Sequence, residues 1–458
     1  PTSYETDPDH LGTVYCKTPY NPSSPLVQYA LMIDAGSTGS RIHVYKFHNC
    51  GPSPAYEYEV FKMIKGGLSS YKGRPEEAAK SLDVLLDTAM QTVPESLRKC
   101  TPVQVKATAG LRLLGAADSA DILAAVRRRL REEYPFPIAD EDDQGVMIMD
   151  GKDEGVYAWI TANYLLDTIR ADSPVGAPTY AVLDLGGAST QIVFQPIFKQ
   201  DDAVGLADGD HKYELKFGGK KHVLYQHSYL GYGLMRARES VHRLVEFMAS
   251  IRTNKGGREE IGNPCLARGT KRTVGLSGDE VSRPRNVTMV GEDVGGFEAC
   301  NRIVQLVMAK DAICETKPCS FDGVYQPSIL DTFPQGKILL LSYFYDRLQP
   351  LLPPTIPGST QSQDPITVSS LASLAQTVCL GPSEWNKAFA GNPTALEELE
   401  GRPEHCLDLT FMHALLRLGY EFGDERTVEI GKQIDGTELG WCLGAAIAMV
   451  GGDLRCKA

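Results

Sequence analysis

The sequence lacks three features that would assign it to a special class of protein. It contains no stretch of 18 apolar residues, so no segment is predicted to cross a membrane as a helix. It has no collagen or coiled-coil period, and its 42% apolar and 23% charged residues are ordinary for a globular chain. Basic residues are outnumbered, 46 against 58 acidic, which gives a net charge of −12. We therefore expect no nucleic-acid binding, and a phosphate ligand would depend mainly on backbone amides and a metal.

The cysteines of the chain indicate the cellular compartment in which it folds. Of the 11 cysteines, Cys314 and Cys319 enclose a short loop with no histidine nearby, which favours a disulfide over a zinc site. Disulfides indicate an oxidising lumen. An odd number leaves at least one cysteine unpaired or bonded to another chain. The only glycosylation sequon starts at Asn286 and also favours the secretory pathway.

Two segments have the composition of an arm and of a linker. Residues 1–26 are rich in Pro, Ser and Asp and predict an N-terminal arm. Because the chain begins with Pro and not Met, we expect a processed product from which a signal or membrane anchor has been removed. The 458 residues suffice for two large domains or three smaller ones, and Ser173–Pro178 has the composition of a linker.

Two similar segments lie 150 residues apart. In one, the apolar strand Tyr29–Ile33 runs into Asp34, a Gly-rich turn with hydroxyl side chains and a second strand. In the other, Thr179–Leu183 runs into Asp184 and an equivalent turn and strand. Two unrelated tight turns are the alternative. A duplicated turn of this kind is typical of the α/β superfold of actin, sugar kinases and Hsp70, in which two similar domains face each other across a cleft.

The composition of the two turns suits a nucleoside di- or triphosphate. Glycines let the backbone approach a ligand closely, and successive amides form an anion-binding nest. The 44 glycines of the chain include four in these turns. Hydroxyl side chains add donors. The residues concerned are Gly36, Ser37, Thr38, Gly39, Ser40, Gly186, Gly187, Ser189 and Thr190.

Carboxylates near these turns suggest a metal ion and a general base. Asp34 and Asp184 would repel a phosphate unless a divalent cation, bound through waters, lay between them. The alternative is that each aspartate only caps its own turn. Glu154 lies at the start of a predicted helix, where it can activate water or simply stabilise the helix dipole. Thr108, in a third small-residue turn, can add a hydroxyl.

The motifs taken together resemble the apyrase-like nucleoside di- and triphosphate diphosphohydrolases, and within that family the Golgi guanosine-diphosphatase branch. The resemblance extends from about residue 27 to 450. The matching motifs are DAGSTGSR (34–41), ATAGLRLL (107–114), GKDEGVYAWITANYLL (151–166), DLGGASTQ (184–191), HSYLGYG (227–233), LSYFYDRL (341–348) and IDGTELGWCLGAAIAM (434–449).

The resemblance implies a fold and a set of site residues. The fold is α/β, with two actin-like (RNase H-like) domains facing each other across a nucleotide cleft: residues 27–150 with 426–458, and residues 151–425. Glu154 matches the catalytic base, and Asp34 and Asp184 match the aspartates that orient the metal. Thr108, Ser189 and Gln191 match residues that hold the attacking water or terminal phosphate. The implied phosphate-binding residues are Ser37, Thr38, Gly39, Ser40, Arg41, Gly186, Gly187 and Ala188.

The resemblance also implies disulfides and a base-binding site. The implied pairs are Cys265–Cys300, Cys314–Cys319 and Cys379–Cys406. Cys16, Cys50, Cys100, Cys442 and Cys456 have no counterpart in that pattern, so their pairing stays open. Aromatic side chains of the second domain would sandwich the purine, and the candidates are Phe344, Tyr345 and Phe411. Each of them can equally be a core residue.

The implied activity is hydrolysis of GDP, and of UDP, to the monophosphate and phosphate by in-line attack of water. It requires Ca²⁺, Mg²⁺ or Mn²⁺ and would support glycosylation in the Golgi lumen. The enzyme would be a type II membrane protein whose anchor is missing from this chain, or a secreted one. Within the class, a broad apyrase acting on triphosphates as well is the alternative. From other classes, a kinase of the same superfold and a non-catalytic nucleotide switch are the alternatives.

Overall fold

The computed structural model describes residues 3–139, 144–170, 173–174, 176–199, 205–217, 219–252, 260–277, 284–293, 295–353 and 366–450. The chain divides into two compact units, which are Pro1–Ala177 with Lys432–Ala458, and Pro178–Gly431. The predicted linker Ser173–Pro178 coincides with the first point of division.

The first unit is built on a mixed sheet. Its strands are β1 (Val27–Ala35), β2 (Gly39–His48), β3 (Ala55–Lys65), β4 (Val103–Ala107) and β5 (Val146–Ile148), in the order β3-β2-β1-β4-β5. β1, β2 and β3 are antiparallel neighbours, whereas β4 runs parallel to β1 and β5. The helices up to residue 165 are α1 (Pro75–Ser81), α2 (Asp83–Thr92), α3 (Glu95–Arg98), α4 (Ala109–Arg112), α5 (Ala116–Glu133) and α6 (Gly151–Leu165).

The core of the first unit lies between this sheet and the helices α2 and α5. Leu31 and Ile33 of β1 pack with Ile122 and Val126 of α5 in one buried cluster. Apolar residues recur at helical spacing on α5, so one face of the helix is buried while its arginines remain on the other. This packing fixes the carboxyl ends of β1 and β4, where the first Gly-rich turn and Thr108 follow.

The second unit contains a larger mixed sheet with the order β14-β15-β13-β6-β7-β9-β8. Its strands are β6 (Ala181–Leu185), β7 (Ser189–Phe194), β8 (Lys212–Phe217), β9 (Lys220–Leu230), β13 (Ile338–Ser342), β14 (Ile366–Thr367) and β15 (Thr427–Ile430). A small separate sheet has the order β10-β12-β11 and comprises β10 (Glu260–Gly262), β11 (Lys271–Leu276) and β12 (Arg285–Val290).

Helices cover the larger sheet of the second unit and enclose its core. They are α7 (Leu234–Arg252), α8 (Phe297–Val307), α9 (Ile329–Thr332), α10 (Tyr343–Leu348), α11 (Val368–Cys379), α12 (Pro382–Ala388), α13 (Pro393–Gly401) and α14 (His405–Ala414). A π-helical turn, Leu415–Gly419, continues α14. The chain then returns to the first unit with β16 (Gln433–Ile434), β17 (Thr437–Glu438) and α15 (Cys442–Val450).

The observed division differs from the expected domain boundaries. Helix α6 was expected to open the second domain, but it belongs to the first unit because it packs closely against α15. The backbone nitrogen of Gly444 donates to Thr161 Oγ1 at 2.8 Å, and a Cβ on Gly444 would lie only 2.3 Å from the carbonyl oxygen of Tyr157. Residues 427–430 belong to the second unit, because β15 pairs with β13.

The predicted arm is an ordered part of the first unit. The ammonium of Lys46, buried in β2, binds the Asp7 carboxylate at 2.6 Å and the Gly12 carbonyl at 2.8 Å. A disulfide joins Cys16 to Cys50. Together they anchor residues 7–16 to the sheet. Among the residues described, no helix combines the length and hydropathy needed to cross a bilayer.

Candidate active site

The two predicted strand–turn–strand segments have equivalent backbone geometry. β1 and β2 pair with Asp34 opposite Arg41, and β6 and β7 pair with Asp184 opposite Gln191. Each first strand also has a parallel neighbour on its other side, β4 next to β1 and β13 next to β6. A helix follows each of those neighbours directly, α4 after Thr108 and α10 after Ser342. The duplication that the sequence suggested is therefore present in the strand pairing.

In the first turn, Asp34 is partly satisfied by a neighbouring guanidinium. Arg41 Nη1 donates to Asp34 Oδ2 at 3.2 Å. The other oxygen, Oδ1, is buried and has no hydrogen-bond partner among the residues that the structure describes. Burial raises the pKa of Asp34, while Arg41 and His43 oppose the shift. An orphaned, buried carboxylate oxygen at the end of β1 is the kind of group that a cation would satisfy.

Two glycines outside the turn allow it to pack closely. A Cβ on Gly67 would lie 2.1 Å from the carbonyl oxygen of Gly36, and a Cβ on Gly110 would lie 2.8 Å from Ser37 Cα. Gly66 N also donates to the Thr38 carbonyl at 3.1 Å. Gly110 belongs to the small-residue turn that the sequence predicts after Thr108, whereas Gly67 was missed. The adjacent glycines Gly66 and Gly67, directly after the end of β3, were the signal that could have found it.

The side chains of the first turn differ in accessibility. Thr38 is exposed and Ser37 is half-buried, so both hydroxyls can reach a ligand. Ser40 was predicted to bind phosphate, but it is fully buried in β2, and Gly39 packs against the backbone of Ile64. Thr108 lies beside the turn, since its backbone nitrogen donates to Ala35 O at 3.3 Å.

In the second turn, the predicted water-positioning residues are hydrogen-bonded to each other. Gln191 Nε2 donates to Ser189 Oγ and to Ser228 Oγ, both at 2.9 Å. Gln191 and Ser228 are direct partners in the β7–β9 pairing. Ser228 was missed as a site residue, although it lies in the HSYLGYG motif. Thr190 Oγ1 donates to the Asp184 carbonyl at 2.9 Å, which fixes the strand end.

The start of α7 donates backbone hydrogen bonds to the second turn. Leu234 N donates to Gly186 O at 2.9 Å, and Met235 N donates to Gly187 O at 3.0 Å. A Cβ on Gly233 would lie 2.4 Å from the backbone nitrogens of both Ala188 and Ser189. Glycine at this position therefore lets the start of α7 pack directly against the backbone of the second turn.

Glu154 lies in the first turn of α6 and is held by an arginine. Asp150 caps the helix by accepting a hydrogen bond from Lys152 N at 3.0 Å. Arg112 Nη2 on α4 donates to Glu154 Oε2 at 2.5 Å, with side chains that are 16% and 12% exposed respectively. Arg112 belongs to the ATAGLRLL motif, but the sequence analysis gave it no role. The structure thus brings Arg112, at the end of the short helix that follows Thr108, against Glu154.

Two of the three predicted base-binding aromatics are wrong. Phe344 and Phe411 are both 0% exposed and belong to the main hydrophobic core of the second unit. Each lies on the inward face of its helix, so neither can stack on a base. Tyr345 is half-buried and stays a candidate. Its neighbour Tyr343 lies directly after the end of β13, under the guanidinium of Arg347 at 5.0 Å from the ring centroid.

The disulfide pattern implied by the resemblance is confirmed. The bonds Cys265–Cys300, Cys314–Cys319 and Cys379–Cys406 are all formed. Of the cysteines left open, Cys100 is disulfide-bonded and Cys442 carries a buried free thiol. Cys456 lies outside the described residues. The predicted glycosylation residue Asn286 is exposed on β12.

Known proteins are similar to this chain in sequence over most of its length. A probable guanosine-diphosphatase of Aspergillus fumigatus is 50% identical over 451 residues, which cover 95% of this chain and 87% of that protein. The guanosine-diphosphatase of Saccharomyces cerevisiae is 44% identical over 440 residues, covering 94% and 82%. An ectonucleoside triphosphate diphosphohydrolase 5 of Gallus gallus is 32% identical, covering 92% and 87%.

A solved structure extends the comparison to the fold. The crystal structure of nucleoside triphosphate hydrolases from Neospora caninum has a TM-score of 0.57 at 15% identity and covers 92% of this chain and 91% of that one. The predicted fold class, α/β with two actin-like domains, is confirmed, and so is the prediction of a hydrolase acting on nucleoside phosphates. Residues 22–455 match one family description, so the chain belongs to the GDA1/CD39 (nucleoside phosphatase) family.

Proposed function

We propose that this enzyme hydrolyses nucleoside diphosphates, GDP above all and UDP as well, to the monophosphate and phosphate. The observation that carries the proposal is the duplicated turn, in which an aspartate near the end of a strand precedes a Gly-rich turn in each unit. The names of the relatives that are 44% to 50% identical favour GDP.

The phosphate groups would be bound by backbone and hydroxyl donors. In the first turn, Ser37 and Thr38 offer accessible hydroxyls. In the second turn, the backbone amides of Gly187 and Ala188 would donate to the phosphate, in a turn that the start of α7 holds in place. Such donors do not require the chain to be basic, which agrees with its net charge of −12.

A divalent cation, Ca²⁺, Mg²⁺ or Mn²⁺, would be held through waters by Asp34 and Asp184. The buried Oδ1 of Asp34, which has no hydrogen-bond partner in the described part of the chain, fits this role. When bound, the cation would supply positive charge that neutralises the phosphate oxygens. We expect hard oxygen ligands of this kind to prefer such ions over softer ones.

Glu154 would remove a proton from the attacking water. Its carboxylate is fixed by Arg112, so a proton-accepting oxygen keeps a constant position. Ser189 and Gln191 would hold the water, and Ser228 would hold Gln191 in turn. Thr108 adds a hydroxyl beside the first turn. The water attacks the terminal phosphorus in line with the leaving phosphate oxygen, so no covalent enzyme intermediate is needed.

Phosphate release from a panel of nucleotides tests this proposal. GDP and UDP should be hydrolysed in the presence of a divalent cation, with GTP and ATP at least tenfold slower in kcat/KM. If GTP and ATP were hydrolysed as fast as GDP and UDP, the chain would be assigned to the broad apyrases. Transfer of phosphate to an added sugar acceptor would indicate a kinase, and binding without turnover would indicate a nucleotide switch.

We further propose that the enzyme acts in the Golgi lumen, where removal of the diphosphate would support glycosylation. The disulfides require an oxidising compartment during folding. Asn286 is exposed and therefore accessible to glycosylation. Peptide mapping of protein purified from its own secretory pathway should find a glycan on Asn286, and an unmodified peptide would remove that residue from the proposal.

A further inference from the structure

Three ionisable side chains meet in the interior of the first unit, apart from the residues of the proposed hydrolysis. They are His43 on β2, Glu59 on β3 and Glu438 on β17. One nitrogen or oxygen from each lies within 4.8 Å of the other two. The side chains of His43, Glu59 and Glu438 are 4%, 1% and 17% exposed. Buried charged groups that lie this close together need groups of opposite charge or hydrogen-bond partners beside them.

Glu59 fixes the orientation of the imidazole. Its carboxylate forms a short hydrogen bond with His43 Nδ1. Its second oxygen accepts from the backbone nitrogen of Glu438 at 2.7 Å. Histidines that bind metals commonly use one ring nitrogen for a carboxylate and the other for the ion. The arrangement of Glu59 and His43 follows that pattern.

The other ring nitrogen of His43, Nε2, lies near Glu438 but forms no hydrogen bond with it. His43 Nε2 is 3.8 Å from Glu438 Oε2, which is too long for a hydrogen bond. Within the described ranges, Glu438 Oε2 is buried and has no hydrogen-bond partner. In a tetrahedral zinc site with metal–ligand bonds of about 2.1 Å, two ligand atoms lie roughly 3.4 Å from each other. A shift of a few tenths of an ångström would therefore bring both atoms into zinc coordination.

The surrounding charge favours a cation. Burial raises the pKa of Glu438, and Glu59 and Asp34 raise it further, while His43 and Arg41 oppose them. Burial lowers the pKa of His43, but Glu59, Glu438 and Asp34 outweigh it and raise the pKa overall. These carboxylates therefore stabilise positive charge at the ring, and a divalent ion bound to Nε2 would supply that charge in place of the ring proton.

We propose that His43 and Glu438 bind a zinc ion, with Glu59 orienting His43. The remaining coordination positions would be filled by water. An imidazole ligand selects zinc over calcium and magnesium, so this site differs in chemistry from the one proposed at Asp34 and Asp184. The ion would join β17 to β2 and β3, and its effect would be on stability instead of hydrolysis. The inference does not depend on the proposed substrate.

Zinc binding in the absence of nucleotide provides the test. Tag-free protein is stripped with a chelator, dialysed against Zn²⁺ alone and subjected to elemental analysis. We expect one zinc ion per chain and a higher melting temperature. His43→Asn and Glu438→Gln should weaken zinc binding more than tenfold, and Glu59→Gln by about 10- to 100-fold. The exposed Glu400→Gln serves as the control, and Asp184→Asn should retain zinc.

X-ray absorption at the zinc edge keeps the proposal testable if a variant fails to fold. The wild-type protein should show nitrogen and oxygen ligands at about 2.0–2.1 Å, with outer-shell scattering from an imidazole. A sulfur ligand at about 2.3 Å would instead assign the ion to Cys442 and overturn the proposal. It would also be overturned if no zinc were retained, or if Asp184→Asn lost zinc while Glu438→Gln kept it.

Discussion

Arg112 donates a hydrogen bond of 2.5 Å to Glu154, although the two residues are 42 positions apart in sequence. Arg112 lies on the short helix that follows Thr108, and Glu154 lies in the first turn of a helix capped by Asp150. The bond limits rotation of the carboxylate. It therefore connects the third small-residue turn directly to the group that we propose as general base.

Replacing the carboxylate of Glu154 should remove general-base catalysis and leave binding intact. For Glu154→Gln we expect kcat to fall by about 10²- to 10⁴-fold, the usual contribution of a positioned base. The dissociation constant of GDP should change less than threefold, as measured by calorimetry. Turnover close to that of the wild type would exclude Glu154 from this role.

Removing the Arg112 guanidinium should disturb the position of Glu154 without removing it. We expect Arg112→Ala to lower kcat about 100-fold with little change in KM, because small misplacements of a catalytic group have effects of that size. Arg112→Lys should recover part of the loss. If Arg112→Ala raised KM and left kcat unchanged, the arginine would act on substrate binding and not on Glu154.

Adding a methyl group next to either turn should damage the phosphate site. The Cβ of Gly67→Ala would collide with Gly36 O, and that of Gly233→Ala with the Ala188 and Ser189 nitrogens. We expect each substitution to lower kcat/KM about 100-fold. Gly423→Ala is the matched control, since a Cβ there meets nothing within 4 Å. Equal activity of all three variants would contradict the close packing of the turns.

Removal of divalent cations should abolish phosphate release, and Ca²⁺, Mg²⁺ or Mn²⁺ should restore it. For Asp34→Asn we expect the cation concentration that gives half-maximal activity to rise at least tenfold, because one of the two carboxylates that we propose to hold the cation is lost. Titration of each metal into chelator-treated enzyme measures this shift. Full activity after exhaustive chelation would refute the metal requirement.

A buried ion cluster should contribute to the acid stability of the second unit. Asp408 accepts hydrogen bonds from Arg238 at 2.6 Å and from Arg347 at 3.0 Å. Burial alone would raise the pKa of Asp408, but the guanidiniums lower it overall. The resulting stabilisation is present above the unfolded-state pKa of about 4 and is lost as the pH falls below it.

Asp408→Asn tests that cluster. It should destabilise the protein by about 3–5 kcal/mol, because it leaves buried guanidiniums without their counter-ion. The urea midpoint of unfolding at neutral pH measures the effect. Glu384→Gln, which breaks an exposed pair with Lys387, should cost less than about 1 kcal/mol. Similar midpoints for both variants would contradict the role of Asp408.

The strands and turns next to the site could be predicted because their signals are local. Asp34 and Asp184 each follow an apolar run and precede a Gly-rich turn, and the structure gives both the same pairing. The spacing of apolar residues over Glu76–Val93 predicts a single helix, but the structure has two helices that meet at Leu82. Helical spacing continues through Leu82, so periodicity could not reveal that break.

The partners of the site residues could not be predicted in the same way. Ser228 reaches Gln191 only because β9 pairs with β7 in one register, and Gly67 matters only because it packs under Gly36. Phe344 and Phe411 were chosen for their aromatic rings. Whether an aromatic side chain faces the core or a ligand depends on how its helix packs.

The sequence by itself determined the two Gly-rich turns and the acidic balance, because these depend on residue type and spacing, and its motifs identified the family, whose pattern implied three disulfides. The tertiary structure decided that Arg112 holds Glu154, that α6 belongs with α15, and that His43, Glu59 and Glu438 meet in one place. Such contacts join residues that are far apart in the chain. Their geometry follows from strand register and helix packing, which depend on the whole fold and leave no local pattern in the sequence.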